Sequence, residues 1–474
     1  MSEGKYKRLI SNTAILAAGT FTSKVLVFLL MPLYTALLST AEFGIADIVT
    51  QTANLIIPLA AVGICDGMFR FALDAKGDRV SEKRVFTSAF LVIMIGSVGT
   101  LGLVQALRAF DALESYVFIV AAYVVCANLH SAAAHFVRAL GKTALFAVQG
   151  IINTVLTIVF NIIFLIVFDM GAVGYVLSVI AADLCVTVVL FFVARLYRYI
   201  SPRSIDRTCI SQMLRFSIPY IPTTMMWLIT SVSDRYIVSA YCGLAENGLY
   251  AAAYKLPTLL TLVCGVFIEA WQFSLVKDAT PEERSGFFST VLKNYMGIIF
   301  MGASVIIAGA KILTSLLLAD SYYDSWRFVP ILVIATAFSA LVSFLGTVYF
   351  LEKKSVMSML TAMSGAVVNV ILNFVLIPSR GALGAAIATA ISYMAVYAVR
   401  AYDTRYYVRF DLHVPRLLIN TVLIILQSLI MLFEPGGWIL MTVGILIVVL
   451  IINAREIVAT CVTMLKHFLK RKKT

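Results

Sequence analysis

Fourteen apolar runs in one chain leave few folds open. They lie near residues 10–38, 42–71, 85–107, 115–137, 145–168, 172–194, 212–240, 245–275, 286–309, 327–350, 356–377, 382–399, 417–433 and 437–453. Each reaches the roughly 17–25 residues with which a helix crosses a bilayer core of about 30 Å. None shows the segments of about ten alternating residues that a membrane barrel needs. The expectation is an all-α polytopic membrane protein of about fourteen spans. Composition agrees, because only 13% of residues are charged and mean hydropathy is +0.95, against about 25% charged in soluble chains.

Charge placement sets the topology. With the N-terminus in the cytoplasm and the spans alternating, 28 basic residues fall in cytoplasmic segments. Only Arg108, Lys311, Arg327 and Arg380 fall outside. The positive-inside rule favours that orientation and an even number of spans, with both termini cytoplasmic and the chain in the cell inner (cytoplasmic) membrane. Lys5, Lys7 and Arg8 precede an apolar run that continues to about Leu38. That is too long for a secretory signal, so the run is expected to stay as the first span. Basic connections near 196–211 and 400–416 divide the chain into three blocks. They are an N-terminal six-helix lobe (1–202), a C-terminal six-helix lobe (203–408), and two additional helices with a basic tail (409–474).

The two lobes read as a duplication. Ala41-Glu42-Phe43-Gly44-Ile45 matches Ala245-Glu246-Asn247-Gly248-Leu249 at an offset of 204. Phe86-Thr87-Ser88 matches Phe288-Ser289-Thr290 at 202, and Gly171-Ala172-Val173-Gly174 matches Gly381-Ala382-Leu383-Gly384 at 210. Each of the last pair follows a helix bearing asparagines, Asn153 and Asn161 or Asn369 and Asn373. Paired repeats about a midplane site are a common transporter plan.

The net charge of +12 does not imply nucleic acid, since the basic residues cluster between apolar runs. Seven cysteines stand singly with no CxxC, so disulfides and zinc are not expected. His130 and His135, five apart, occupy different helix faces, and no metal site is expected. A phosphate-cradling loop, GxSxG and HExxH are all missing, which reads as no enzyme and no cofactor. The tail KHFLKRKKT suits lipid headgroups.

Charges inside membrane helices are costly and mark polar interiors. Thr13, Thr20, Lys24 and Thr35 fall within about 60° on the first span at 100° per residue. Ser217, Tyr220, Thr224, Ser231, Asp234 and Arg235 share one face of the seventh span. Tyr250, Tyr254, Thr258, Thr261 and Glu269 share one face of the eighth, with Lys255 beside them. These stripes imply a hydrated cavity. The candidate substrate-binding residues are Lys24, Lys255, Arg70, Arg235, Asp234, Tyr250 and Tyr254. Asp66 and Glu269, near the inner ends of the second and eighth spans, are candidates for coupling to a proton or sodium gradient. Structural readings stand beside these. Arg70 could snorkel, Asp234 and Arg235 could form an ion pair or gate, and Asp66 and Glu269 could pair or cap. Pro32, Pro219, Pro222 and Pro257 lie inside spans and are expected to bend them.

The segment FSIPYIPTTMMWLITSVSDRYIVSAYCGLAENGLYAAAYKLP, the opening NTAILAAGTFTSKVLVFLLMPLYTALLSTAEFGIADI, and FVRALGKTALFAVQGIINTVLTIVFNIIFL with MGAVGYVLS resemble the polysaccharide transporter family. These O-antigen and exopolysaccharide flippases belong to the multidrug/oligosaccharidyl-lipid/polysaccharide exporter (MOP) superfamily. The resemblance implies two six-helix lobes in a V, alternating access, and a cationic cavity. It also implies transfer of polyprenyl-diphosphate-linked oligosaccharide from the inner to the outer leaflet. Expected partners are the lipid-linked oligosaccharide, membrane lipid, a polysaccharide polymerase and chain-length machinery, with no nucleic acid. The SKVLVF stretch around Lys24 and the two extra spans also resemble the superfamily's peptidoglycan-precursor flippase. A lipid II flippase or amphiphile exporter therefore stays open, as does a non-transporting scaffold in an assembly complex.

Overall fold

The computed structural model describes residues 26, 28–109, 113–274, 281–352 and 354–471, and among these every regular element is a helix. In chain order they are α1 (Met31–Leu37), α2 (Thr40–Ala60), α3 (Ile64–Asp74), α4 (Arg79–Leu103), α5 (Val117–Ala139), α6 (Thr143–Asn161), α7 (Gly171–Val193), α8 (Arg207–Ser217) and α9 (Ile221–Cys242). There follow α10 (Leu244–Lys255), α11 (Thr258–Ser274), α12 (Pro281–Ala308), α13 (Ala310–Leu317), α14 (Val329–Leu351), α15 (Ser355–Thr404), α16 (Val414–Phe433) and α17 (Trp438–Arg471). Among the described residues nine helices are long and apolar enough to cross a membrane. One of them, Val356–Thr404, is divided by a bend at Gly381.

Proline and glycine place the breaks. The run at 42–71, read from sequence as one span, is two helices. Pro58 donates no hydrogen bond, and Val62 and Gly63 take positive φ of 48° and 62°, which ends α2 and starts α3 at a new angle. Pro32 sits in the first turn of α1. A 3-10 turn at Ile218–Tyr220, carrying Pro219, separates α8 from α9. Pro257 separates α10 from α11.

The chain forms two compact units, residues 1–239 with 243–248 and residues 240–242 with 249–474. In the first unit α5 is the spine. Its early half packs Val117, Val120 and Val124 against Ile45, Val49 and Ala53 of α2 and Val176 of α7. Its later half carries Ala132, Ala133 and Ala134, small enough for close approach to α3 and α4. The starts of these helices are specified locally. Ser39 and Glu42 form a reciprocal capping box on α2, and Asp206 accepts from the amides of Thr208 and Cys209 on α8.

In the second unit α14 is apolar on every side and 72% of its membrane window is enclosed, the pattern of a central helix. It packs against α15, whose two limbs meet at the Gly381 bend. Those limbs are tied by Asn369, which donates to Thr389 at 3.2 Å and accepts from Asn373 at 3.0 Å. α16 is joined to α17 and to α12 by buried polar side chains. Asn453 donates to Asn420 at 2.7 Å, and Gln427 accepts from Ser304 of α12 at 2.8 Å. Such bonds average about 0.6 kcal/mol each and fix helix rotation.

The repeat is visible within each unit separately. Gly171 and Gly381 both take left-handed φ, 53° and 58°, at the turn before a helix. Three residues on, a β-carbon at Gly174 would meet the backbone oxygen of Phe164 at 3.1 Å. One at Gly384 would meet that of Leu376 at 2.5 Å. The shared glycine spacing thus serves one close helix–helix contact in both halves.

Candidate functional site

Among the described candidates, Arg235 is the most enclosed cation. It lies on α9 with 5% of its surface accessible, and its neighbour Asp234 is fully buried. The guanidinium Nε donates to Asp47 Oδ2 on α2 at 2.8 Å, and Nη1 reaches Asp234 Oδ1 at 3.3 Å and the carbonyl of Ser231. Asp234 Oδ1 also accepts the Arg235 backbone N–H at 2.9 Å. The next residue, Tyr236, shares a hydrogen bond with Thr52 of α2. The ion-pair reading of Asp234 and Arg235 thus acquires a third member, Asp47, which sequence reasoning passed over. Glu42 and Asp47 both lie in the first repeat's hairpin, but only the rotation of α2 shows which faces α9. A fixed guanidinium fork suits such a buried pairing.

Asp66 and Arg70 are exposed on one face of α3, and Arg70 pairs with Asp74 at 2.5 Å, both side chains more than half exposed. Solvent screens that pair to about 0.3–0.5 kcal/mol. Arg70 is therefore not brought to Arg235 or Asp234. Tyr250 is fully buried on α10, its ring edge-on to Tyr254 at 5.4 Å and to Phe328 at 6.0 Å. Lys255 is half-buried at the last turn of α10. Pro257 lacks the N–H that would serve the Ala253 carbonyl, which accepts from Leu256 instead, and the Lys255 carbonyl accepts the Thr258 hydroxyl. Lys24 lies outside the described residues. Glu269 lies on α11, with its side chain outside those described.

Two further polar centres were not singled out from sequence. Arg400, counted among the cytoplasmic basic residues, is 2% exposed on α15. It donates to Thr361 Oγ1 at 3.0 Å and to the Val342 carbonyl at 2.9 Å, and it lies over the Tyr349 ring. His130, read as unable to pair with His135, instead lies 3.0 Å from Asp183 on α7. Both partnerships cross between helices far apart in sequence, and no local motif announces them.

A solved structure of a lipid II flippase, MurJ, in an inward closed conformation is similar over 95% of this chain and 100% of its own, with a TM-score of 0.71 and 13% identity. An inward-facing multidrug resistance MATE family transporter of the MOP superfamily is similar over 82% of this chain and 95% of its own, with a TM-score of 0.68 and 13% identity. A MOP superfamily transporter from Pyrococcus furiosus gives a TM-score of 0.55 at 12% identity, over 84% of this chain and 96% of its own. The fold is that of the MOP superfamily transporters. No curated protein sequence matches. A family model described as polysaccharide biosynthesis protein matches residues 9–272, and the chain belongs to that family.

Proposed function

We propose that the protein is a flippase that carries polyprenyl-diphosphate-linked oligosaccharide from the inner to the outer leaflet by alternating access. The observation that carries this reading is a polysaccharide biosynthesis chain folded like a lipid flippase along nearly its whole length. The MATE structures cover less of it, which favours a lipid-linked glycan over a drug. The buried Asp47–Arg235 pair supports it mechanically. It joins a first-repeat helix to a second-repeat helix on the side where α1 turns into α2. In the topology expected from charge placement that is the outer side, so the pair must part for release outward. Lys24 and Lys255 serve as point charges for the diphosphate in this reading, with Asp66 and Glu269 at the coupling step.

The MurJ likeness favours one second reading, a flippase for the peptidoglycan precursor. Deleting the gene separates the two. Accumulation of a polyprenyl-diphosphate oligosaccharide on the inner leaflet supports the first reading. Accumulation of lipid II supports the second and overturns the first.

A further inference from the structure

The network where α5, α6 and α7 meet involves none of the residues assigned above. Asp183 of α7 accepts a hydrogen bond from the Asn153 amide of α6 at 2.9 Å and lies 3.0 Å from Nδ1 of His130 on α5. Nε2 of the same imidazole lies 2.8 Å from Gln149 Oε1 on α6. Both ring nitrogens therefore face side-chain partners.

An ionised carboxylate only accepts, so Nδ1 carries a proton in either state of the ring. Nε2 is different, because an amide presents its oxygen or, turned by about 180°, its NH2. With the oxygen inward, Nε2–H donates to Gln149, His130 is an imidazolium, and the pair with Asp183 is neutral. With the NH2 inward, Gln149 donates to a bare Nε2, and the pair carries one negative charge. Every hydrogen bond survives the change. A buried network normally fits one protonation state and leaves an orphaned group in the other.

The geometry points to a proton-binding site: His130 Nε2 takes up and releases one proton, Asp183 holds the imidazolium, and Gln149 turns its amide to match. The step is His130–H⁺ to His130 plus a free proton, with no other bond made or broken. The His130 and Asp183 side chains remain 16% and 11% exposed. Tyr123 and Cys126 of α5 interact electrostatically with Asp183, and His135 with His130. The network's partners on α6 are neutral amides. From α2, Asp47 acts on Tyr175 of α7, as do Tyr34 and Tyr123. The use of this proton to drive substrate movement rests on the transport reading above. Asn153 Oδ1, buried with no hydrogen-bond partner, makes a monovalent cation the competing occupant.

Nitrogen-15 spectra of histidine-labelled full-length protein in nanodiscs test the site without any substrate, and four histidines make assignment tractable. One imidazole is expected to change between doubly and singly protonated forms within about pH 5–8. His130→Gln removes that signal, Asp183→Asn moves its titration to lower pH, and exchanging potassium for sodium leaves it in place. A ring that stays neutral throughout, a titration untouched by Asp183→Asn, or displacement by sodium overturns the proposal. In proteoliposomes His130→Gln is expected to lower the response of flipping to an imposed pH gradient, alongside the coupling step assigned above to Asp66 and Glu269. A retained response overturns the coupling role. Absence of flipping in the parent chain, with the titration intact, counts against the transport reading alone.

Discussion

Gly44 and Gly248 face each other where α2 passes the first turn of α10. A β-carbon on Gly44 would land on the carbonyl oxygen of Leu244, and one on Gly248 would land on that of Thr40. The relation is reciprocal, because 44 to 248 and 40 to 244 are the same step of 204. Asn247 adds a hydrogen bond to the Gly44 carbonyl at 3.0 Å. The duplicated AEFGI and AENGL stretches therefore meet in space through their shared glycine. Backbone cannot move aside as a side chain can, so Gly44→Ala and Gly248→Ala should each cost about 1–3 kcal/mol, the range for overpacking. Thermal unfolding in detergent should show both variants less stable. Gly99→Ala, which meets open space, should match the parent. Equal stability of all three would mean the crossing is looser than this contact implies.

The Asp47–Arg235–Asp234 cluster should behave as a unit. Arg235→Ala leaves two enclosed carboxylates facing each other's charge and should lower stability by about 3–5 kcal/mol. Asp47→Ala alone should cost less, since Asp234 still answers the guanidinium. In the double variant the losses should fall short of their sum, because the shared interaction is removed only once. Strict additivity in chemical unfolding would show that Arg235 and Asp47 do not depend on one another.

Topology is open to a direct check. The turn after α16 contains Glu434, which pairs with Lys311, whose ammonium sits over the rings of Trp326 and Trp438. Aromatic rings beside a lysine suit the membrane interface. Alkaline phosphatase, active only outside the cytoplasm, should work when fused after Glu434 and fail when fused after Lys473. Activity at both points would require an odd number of spans.

What the sequence revealed follows from how far each signal reaches. Apolar length, proline and glycine act within a few residues. The α8–α9 and α10–α11 breaks at Pro219 and Pro257 were therefore legible, as was the shared turn at Gly171 and Gly381. The break at Val62 and Gly63 was not, because Pro58 and Gly63 stand inside an unbroken apolar run and a valine does not announce a φ of 48°. Arg235 stood out as a charge inside an apolar run. Its partner Asp47 lies 188 positions away and is found only once two helices are rotated against each other. Asp183 and Arg400 escaped notice for the same reason. Tyr250 shares a helical face with Tyr254, as the spacing indicated, yet α10 turns its ring into packing against Phe328.

The most direct test of the flippase reading is leaflet transfer in proteoliposomes loaded with a fluorescent polyprenyl-diphosphate oligosaccharide, read by quenching from one side. The purified parent should move the label at a rate far above protein-free vesicles. Lys255→Ala should weaken substrate binding by about ten- to a hundredfold, as loss of a charged hydrogen bond of about 1.5–3 kcal/mol implies. Transfer no faster than in empty vesicles, with lipid II moved instead, would contradict the account.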